Sequence, residues 1–570
     1  MDNVAFLIFR RMRAPLLALI VAHSVAILGL VLIPGMDDAG NPTHMGFFHA
    51  LYVVSYTATT IGFGEIPYAF TDAQRLWLIF TIYATVIVWF YSLGTLIHLI
   101  QNQTFQRALT ELRFARRVRR LRSPFYLVCG YGETGGALVR ALTDRNHPAV
   151  AIDVREERIE LLKLENLRQY VPGMAADARR PEHLVEAGLR HPLCAGVAAL
   201  TNVNETNLKI AIAAKLMHPE VKVICRADSH DVEANMASFG TDHIYDPFDI
   251  FALYLATAIQ APCLVLLEEW LTGLGGERLK DPIYPPAKGL WILCGFGRFG
   301  KAVYRRLIEQ GVEVQVIEAA PERTGTPPTA WVHGRGTEAE TLEQADVQRA
   351  VGLLAGTDDD ANNLSIIMTA RQINPDLFVV ARENHLDNHE LFEAVGAQVV
   401  MHPSSIVAHR IRVLLATPLL TEFEHSARFQ DDAWACELAS RIAALVDEEV
   451  PEVWEVRIDQ QEALAVWDAA ERGKPTTLAH LLLDPRDRDL RLAAIPLMLA
   501  RRNDREILPD GGRRLHKGDR LLFCGNAGAR SRMRWTLLNH HALSYIQTGG
   551  SAPAGTLWRW LAKALGRRRH

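Results

Sequence analysis

The stretch Thr59-Thr60-Ile61-Gly62-Phe63-Gly64-Glu65 lies between two long apolar runs and decides how the N-terminal part of the chain folds. The apolar segment 46–59 before it is too short to span a bilayer, so we expect a re-entrant helix. Gly62 and Gly64 can adopt left-handed backbone conformations, which let successive carbonyl groups point to one side. Because non-helical backbone at membrane depth must line a cavity or be buried in protein, this stretch predicts a loop that lines a polar passage.

The flanking apolar runs, at 14–33 and 75–100, are long enough to cross the ~30 Å hydrocarbon core as helices. Arg10, Arg11 and Arg13 precede the first run, and six arginines between 113 and 122 follow the second. Since Lys and Arg are enriched on the cytoplasmic side, we expect a multi-pass protein of the cell inner (plasma) membrane with cytoplasmic N- and C-termini. Neither run carries regularly spaced arginines, so no voltage-sensor helix is expected.

Thr59 to Glu65 resembles the selectivity filter of potassium channels, whose usual form is T-V-G-Y-G-D. The resemblance implies K⁺ as the transported ion, with Thr60, Ile61, Gly62 and Phe63 as its ligands. Phe63 replaces the usual Tyr, so we expect one buried hydroxyl brace to be missing. Together with Glu65, which replaces Asp, this change bears on how strictly the pore selects K⁺ over Na⁺. Gly94 is the only glycine of the second run and the expected position of a bend.

The rest of the chain contains an internal repeat of a strand, a G-x-G-x-x-G loop and a helix. The two loops are Gly130-Tyr131-Gly132-Glu133-Thr134-Gly135 and Gly295-Phe296-Gly297-Arg298-Phe299-Gly300, and each copy continues to a strand that ends in an acid, Asp153 or Glu318. This is the fingerprint of a dinucleotide-binding Rossmann fold. The glycines let a phosphate approach the backbone, the helix N-terminus attracts it, and the acid binds ribose hydroxyls.

The two acids disfavour NADP but do not separate NAD from ADP, ATP or AMP. Glu133 corresponds to Arg298, and Asp177 to Arg335, so we expect unequal sites. Arg298 favours ADP or ATP in the second copy, whereas Glu133 suits NAD, or a nucleotide with a bridging cation, in the first. Further predicted binding residues follow other strands: Thr201, Asn202 and Thr357. A Rossmann shell that has lost its ligand is the alternative for each copy.

The repeat resembles RCK domains, the regulatory modules of ligand-gated potassium channels and of Trk/Ktr transport systems, over residues 124–528. In that family a small C-terminal lobe can follow the Rossmann lobe, and Val453 to Cys524 fits one. The resemblance is to two-helix bacterial channels with tandem RCK domains, and it implies eight RCK units in a ring. One chain supplies one filter strand, so closure around an ion requires a homotetramer in the lipid bilayer.

The predicted fold class is an α-helical membrane pore followed by α/β, with two Rossmann-like RCK domains and a small α+β C-terminal lobe. The predicted parts are a cytoplasmic N-terminus (1–13), a pore domain (14–100, with outer helix 14–33, pore helix 46–59, filter 59–65 and inner helix 75–100), a gating linker (101–123), the first RCK Rossmann domain (124–286), the second (287–445), the C-lobe (446–528) and a basic tail (529–570).

The sequence predicts a nucleotide-regulated potassium channel subunit that is not an enzyme. Net charge of −4 gives no indication of nucleic-acid binding, and we interpret all seven cysteines as reduced core residues. The apolar run Phe248 to Leu271 is interpreted as helices packed between domains, because Asp249, Gln260 and Pro262 interrupt it. Calcium regulation is left open, since the acidic run Asp358 to Asp360 is interpreted as a solvated loop or strand end.

Two alternatives remain at this point. A membrane-anchored NAD-dependent oxidoreductase would require a catalytic constellation and a substrate domain, and the sequence suggests neither. A non-conducting nucleotide sensor of a K⁺ transport system would have no use for the loop at 59–65.

Overall fold

The chain divides after Arg122 into two units. The computed structural model describes residues 2–144, 146–273 and 277–550. The first unit comprises residues up to 122 together with 186–191, and the second comprises 123–185 and the chain from 192 onwards. The first unit therefore contains both apolar runs, and the second contains both copies of the repeat.

Two long apolar helices frame the first unit. Its elements are α1 (Asp2–Leu32), β1 (Pro34–Met36), β2 (Pro42–His44), α2 (Phe47–Ala58), α3 (Asp72–Gln101) and α4 (Gln103–Val118). Within the described residues, two segments are long and apolar enough to cross a membrane, Met12–Leu32 of α1 and Asp72–Gln101. The strands β1 and β2 pair antiparallel in the connection between α1 and α2.

Close packing joins α1 to α3. The indole Nε1 of Trp77 donates to the backbone oxygen of Ala26 over 3.1 Å. Gly29 lies against the same indole, and a Cβ at that position would overlap the ring. Glycine therefore permits the contact between the two helices.

The helix boundaries of the first unit differ from the predicted ones. Helix α1 begins at Asp2, inside the segment 1–13 expected to precede the membrane helix. Helix α3 begins at Asp72 because Thr71 and Gln74 form a capping box that starts it before residue 75. It continues unbroken through Gly94, and α4 occupies most of the predicted gating linker.

Two Rossmann-like lobes make up most of the second unit. The first lobe contains β3 (Phe125–Cys129), α5 (Glu133–Asp144), β4 (Ala149–Asp153), α6 (Glu156–Leu164), β5 (Gly173–Ala175), α7 (Pro181–Glu186), β6 (Cys194–Ala199), α8 (Asn204–Met217), β7 (Lys222–Arg226), α9 (His230–Ser238), β8 (His243–Tyr245), α10 (Pro247–Gln260) and α11 (Pro262–Thr272). The second lobe contains β9 (Leu290–Cys294), α12 (Arg298–Glu309), β10 (Glu313–Glu318), α13 (Pro321–Thr324), β11 (Trp331–His333), α14 (Ala339–Gln344), β12 (Ala350–Ala355), α15 (Asp360–Ile373), β13 (Phe378–Arg382), α16 (His389–Ala394), β14 (Val399–Met401), α17 (Pro403–Ala416) and α18 (Pro418–Ala427).

Both lobes have the same parallel sheet. The strand order is β5-β4-β3-β6-β7-β8 in the first lobe and β11-β10-β9-β12-β13-β14 in the second. In each sheet the order reverses beside the first strand of the lobe, which is where doubly wound sheets bind ligands at their carboxyl edge. The predicted Rossmann-like fold is confirmed for both copies of the repeat.

The lobes exchange helices across their interface. Phe248, Phe251 and Leu255 of α10 pack into the core of the second lobe with Trp291 and Phe299. In return, Val407 and Ile411 of α17 pack into the core of the first lobe. The apolar run at 248–271 thus forms two helices, α10 and α11, that are buried within the second unit.

A third lobe follows the helix α19 (Asp432–Ala443). It contains β15 (Glu452–Arg457), α20 (Leu464–Glu471), α21 (Leu478–Leu481), β16 (Ala494–Arg501), β17 (Asp504–Ile507), β18 (Arg520–Gly525), α22 (Ala527–Leu538) and α23 (His540–Thr548). The sheet order is β15-β18-β16-β17, and all its pairs are antiparallel.

This third lobe is longer than predicted. Helices α22 and α23 occupy the start of the segment assigned to a basic tail from 529. They fold onto the lobe because Met533, Leu537 and Leu543 are buried in its core. The basic stretch 557–569 of the predicted tail lies outside the described residues.

The expectation that all seven cysteines are reduced is wrong for two of them. Cys263 and Cys436 are joined by a disulfide with their Cα atoms 5.0 Å apart. Helices α11 and α19 bring them together, although 173 residues separate them along the chain. The other five are buried free thiols, as predicted.

Candidate functional site

The backbone of the loop after α2 alternates between two conformations. Thr60, Gly62 and Gly64 have φ values of 63°, 64° and 99°, whereas Ile61 and Phe63 between them are not left-handed. A left-handed conformation is costly for Thr60, which lacks the freedom of glycine, so the fold around it must enforce the pattern. Alternation of this kind turns successive carbonyls toward one side, which is the arrangement that a desolvated cation requires.

Aromatic residues of α2 support this loop. The Tyr56 hydroxyl donates to the carbonyl of Gly64. Phe63 stacks on Tyr52 with ring centroids 6.1 Å apart and meets Tyr56 edge-on at 5.6 Å. We expected a missing hydroxyl brace because Phe63 replaces Tyr, but Tyr56 supplies a hydroxyl from the helix side. The spacing of Tyr52 and Tyr56 in the sequence could have indicated this brace, because residues four apart lie on one face of a helix.

The outer end of the loop is held by an ion pair. Glu65 accepts from Arg75 through both carboxylate oxygens, at 2.9 Å from Nε and 3.1 Å from Nη2. The Phe70 amide donates to the same carboxylate over 2.8 Å. At the inner end, the Thr59 hydroxyl donates to the Ser55 oxygen over 2.8 Å. Glu65 therefore fixes the turn that joins the loop to α3.

The glycines of the two G-x-G-x-x-G loops have distinct surroundings. A Cβ at the third glycine, Gly135 or Gly300, would overlap the carbonyl of the first glycine, so the helix packs directly on the loop. A Cβ at the second glycine, Gly132 or Gly297, would meet no atom within 4 Å. Each loop thus leaves open space beside its second glycine, so a bound group can approach the backbone there. Behind the loops, Thr134 and Phe299 are buried.

The acids at the ends of β4 and β10 are buried and bind the loops. Asp153 accepts from the amides of Tyr131 and Arg155 at 2.7 and 2.8 Å. Glu318 accepts from the amides of Phe296 and Ala320 at 2.5 and 2.7 Å. Each carboxylate oxygen accepts one amide and keeps further acceptor capacity for a ribose hydroxyl.

The carboxyl ends of β6 and β12 complete each site. Thr201 donates through its amide to the Asn207 side chain at 3.0 Å, and Thr357 donates likewise to Asn363 at 2.9 Å. In the first lobe the Asn202 side chain accepts from Arg226 over 3.1 Å. These equivalent contacts show that the same strand-end geometry is built in both copies.

The second site opens into a cavity of about 650 Å³ with many basic side chains. The charged residues that line it are Arg298, Lys301, Arg323, Arg335 and Arg382 on the basic side and Glu318 and Asp358 on the acidic side. A cavity of this size with an excess of cations fits an anionic ligand with several phosphate groups. Arg335 lines this cavity, whereas the corresponding Asp177 of the first lobe is paired with Arg179 at 2.7 Å, which holds the pKa of Asp177 below its usual value.

Arg382, which the sequence analysis did not single out, is the most unusual of these side chains. Its guanidinium lies over the Phe248 ring, 5.1 Å from the centroid. Burial lowers the pKa of Arg382 to about 10, and its Nε has no hydrogen-bond partner within the described chain. A desolvated, incompletely paired guanidinium favours an anion in the adjacent cavity. The repeat could have indicated Arg382 as a site residue, because Arg226 and Arg382 end the corresponding strands β7 and β13.

The fourth residue of each loop reaches the opposite lobe. Arg298 forms an ion pair with Asp228, which also accepts from Asn204. Glu133 lies 3.4 Å from both His402 Nε2 and the Ser404 hydroxyl. Burial lowers the pKa of His402, while the Glu133 carboxylate raises it. Both loops are therefore tied to the interface between the lobes.

Comparison with known proteins gives consistent matches. The TrkA-N domain model matches residues 126–247 and 291–403, and the ion channel model matches residues 16–102. Potassium channel protein 1 of Methanocaldococcus jannaschii is 25% identical over 222 residues, which are 38% of this chain and 64% of that protein. A Trk system potassium uptake protein TrkA homologue of Pyrococcus horikoshii is 30% identical over 166 residues, 26% of this chain and 72% of the homologue.

Solved structures give the same fold. The GsuK channel aligns with a TM-score of 0.50 at 17% identity and covers 94% of this chain and 99% of its own. The first curated relatives are matched over 24%, 44% and 64% of their own lengths, so this chain spans less than two thirds of each.

Proposed function

Since this chain belongs to the family of potassium-channel proteins with TrkA-N (RCK) domains, we propose that it is one subunit of a nucleotide-regulated potassium channel. The observation that carries the proposal is the alternating backbone at Thr60, Gly62 and Gly64, which directly follows a short apolar helix. In each subunit the ligands of K⁺ are the hydroxyl of Thr60 and the backbone carbonyls of Thr60, Ile61, Gly62 and Phe63.

Four chains assemble around the ion, because each supplies one strand of carbonyls. Exposed apolar side chains on corresponding helices of the two lobes support a ring of lobes. Leu216 at the end of α8 is 78% exposed and Met368 of α15 is 57% exposed, and such residues suit contacts between copies. We propose that the second unit is cytoplasmic, because the arginines of α4 and its flank favour the cytoplasmic side of a membrane.

The two nucleotide sites take different ligands. The excess of basic side chains in the second cavity favours the terminal phosphates of ADP or ATP. In the first site Glu133 and Asp177 occupy the positions of Arg298 and Arg335, so the smaller charge of NAD is preferred. Asp153 and Glu318 bind the adenosine ribose in their respective sites. We assign regulation rather than catalysis to both, because the named relatives are channels and uptake proteins.

We propose that the ion pairs between the two lobes respond to bound nucleotide. A phosphate in the second site competes with Asp228 for Arg298, since both are anions within reach of one guanidinium. In the first site a ligand phosphate repels Glu133 and changes its contact with His402. A ligand shifts the gate only by binding one lobe arrangement more tightly than the other, and these ion pairs are the contacts that we propose to change with the ligand.

Potassium flux from liposomes that contain the purified chain tests the proposal. Flux is measured with ADP, ATP or NAD, for the wild type and for Gly132→Ala and Gly297→Ala. Each new Cβ occupies the empty space of one loop without touching the protein. We expect Gly297→Ala to lose the response to ADP or ATP and keep that to NAD, and Gly132→Ala to do the reverse.

Gly62→Ala provides the control for the pore. It forces alanine into a left-handed conformation and should abolish flux while nucleotide binding persists. Absence of wild-type flux with every nucleotide would refute the channel assignment. Wild-type responses in both loop variants would refute the nucleotide assignment alone.

A further inference from the structure

Two half-buried cysteines lie together at the junction of the lobes. Cys263 is in the first turn of α11, and Cys436 is in α19. Their Cα atoms are 5.0 Å apart, within the range that a disulfide requires. Because cytoplasmic thiols are normally kept reduced, a bonded pair in that compartment is typically transient or redox-sensing. The cytoplasmic placement of this unit is part of the proposed function.

The other five cysteines are unsuited to exchange. All are buried, and burial raises the pKa of Cys194 to about 11 and those of Cys225, Cys294 and Cys524 to about 12. Burial also raises the pKa of Cys129. Since the thiolate is the reactive form, burial disfavours exchange at these five. Among the described cysteines, Cys263 and Cys436 are the pair whose geometry permits a disulfide.

Asp432 holds the two helices together independently of the sulfur atoms. Its Oδ1 accepts from the amides of Cys263 and Leu264 at 2.9 and 3.3 Å. One carboxylate at the start of α19 thus caps the N-terminus of α11. Reduction leaves this contact intact, so the two thiols stay adjacent and poised to close again.

We propose that Cys263 and Cys436 form a reversible dithiol–disulfide couple that exchanges with low-molecular-weight disulfides. One cysteine thiolate attacks a sulfur of the reagent disulfide, forming a mixed disulfide and releasing one reagent thiolate. The second cysteine thiolate attacks the protein sulfur of the mixed disulfide, which closes the Cys263–Cys436 bond and releases the second reagent thiolate. The protein pair loses two electrons and two protons, and the reagent gains both as two thiols.

The position of the bond gives it a consequence for the fold. Helices α11 and α19 share one core with the strands of the third lobe, through residues such as Leu267, Leu438 and Leu497. Oxidation therefore fastens the end of the first lobe to the helix that precedes the third lobe. Reduction leaves the contacts of Asp432 and the apolar packing to hold α11 against α19.

A redox titration of the full-length protein in detergent tests the couple. The protein is equilibrated at a series of ratios of reduced to oxidised glutathione, free thiols are alkylated, and mass spectrometry measures the oxidised fraction of the pair. We expect a transition from dithiol to disulfide across the series, with Cys194 alkylated only after denaturation. Cys263→Ser and Cys436→Ser should each remove the transition.

Asp432→Ala tests the positioning role. Loss of the shared cap should lower the equilibrium constant for bond formation about tenfold, equivalent to about 30 mV. Glu437→Ala is the matched control, because Glu437 is an exposed acid on the same helix beside Cys436. An unchanged midpoint in Asp432→Ala would refute that role.

Three results would overturn the proposal. The pair could remain dithiol at every ratio, it could remain oxidised in excess reduced glutathione, or the reduced pair could bind Zn²⁺ stoichiometrically. The last outcome would identify a metal site, since both sulfurs and Asp432 lie within ligand distance of one another. The readout is independent of ion flux, so failure of the couple and failure of the channel assignment are distinguishable.

Discussion

Removal of the Tyr56 hydroxyl isolates the contribution of one brace to the pore loop. In Tyr56→Phe the ring keeps its edge-on contact with Phe63, and only the hydrogen bond to the Gly64 carbonyl is lost. Tyr56 is 5% exposed, so water does not freely replace its partner. The carbonyl of Gly64 then loses the group that holds it in place.

The expected effect follows from the number of copies. A hydrogen bond of this kind contributes about 1 kcal/mol net. In the proposed tetramer four such bonds contribute about 4 kcal/mol to the ordered loop, which corresponds to a roughly thousandfold change in the equilibrium between ordered and disordered loops. We expect K⁺ flux, or its preference over Na⁺, to fall at least about tenfold, which needs about a third of that free energy.

The assay is K⁺ and Na⁺ flux from liposomes, with nucleotide binding measured in parallel. Tyr52→Phe is the matched control, because Tyr52 stacks on Phe63 but its hydroxyl makes no hydrogen bond among the described residues. Nucleotide binding should be unchanged in both variants. If Tyr56→Phe conducts and selects as Tyr52→Phe does, the brace has no role in conduction.

Three further predictions follow from close packing and burial. Gly300→Ala should destabilise the second lobe by about 1–3 kcal/mol and abolish nucleotide binding there, since its Cβ overlaps the Gly295 carbonyl. Gly297→Ala should abolish binding without a loss of stability, and calorimetry together with thermal unfolding distinguishes the two variants. Gly29→Ala should lower the melting temperature in detergent because the new Cβ pushes Trp77 away from α1. Gly94→Ala is the control and should leave stability unchanged, because a Cβ there meets no atom within 4 Å. The gating of Gly94→Ala also shows whether a bend at this position matters. Burial, with Arg412 and Arg410 nearby, lowers the pKa of His409 to about 3, so below pH 6.5 the unfolded chain binds a proton that the folded chain does not. The free energy of unfolding should therefore fall by about 1.4 kcal/mol per pH unit between pH 6 and 4. His409→Gln should reduce this slope in unfolding experiments.

Local motifs of the sequence identified the fold, because their geometry is fixed within a few residues. The two G-x-G-x-x-G loops and their acids predicted both Rossmann-like lobes, and the loop at 59–65 predicted an alternating backbone. Each depends on glycine conformations and on strand–turn–helix connections that neighbouring residues determine.

Contacts between distant segments could not be predicted in this way. The pairing of Arg298 with Asp228 joins residues 70 positions apart, and the disulfide joins residues 173 apart. Both depend on how the lobes exchange α10 and α17, which no local pattern specifies. The helices α22 and α23 were not predicted for a different reason, since Met533, Leu537 and Leu543 are separated by basic and polar residues and form no continuous apolar run.

The two lobes belong to one chain and exchange α10 and α17, so they are always present in equal numbers. Each lobe contributes a helix to the other's core, so every chain that folds carries one copy of each site. The two copies of the repeat can therefore diverge in sequence, because every chain contains one of each. The proposed channel would therefore carry equal numbers of the two nucleotide sites, and every subunit would be able to respond to both ligands.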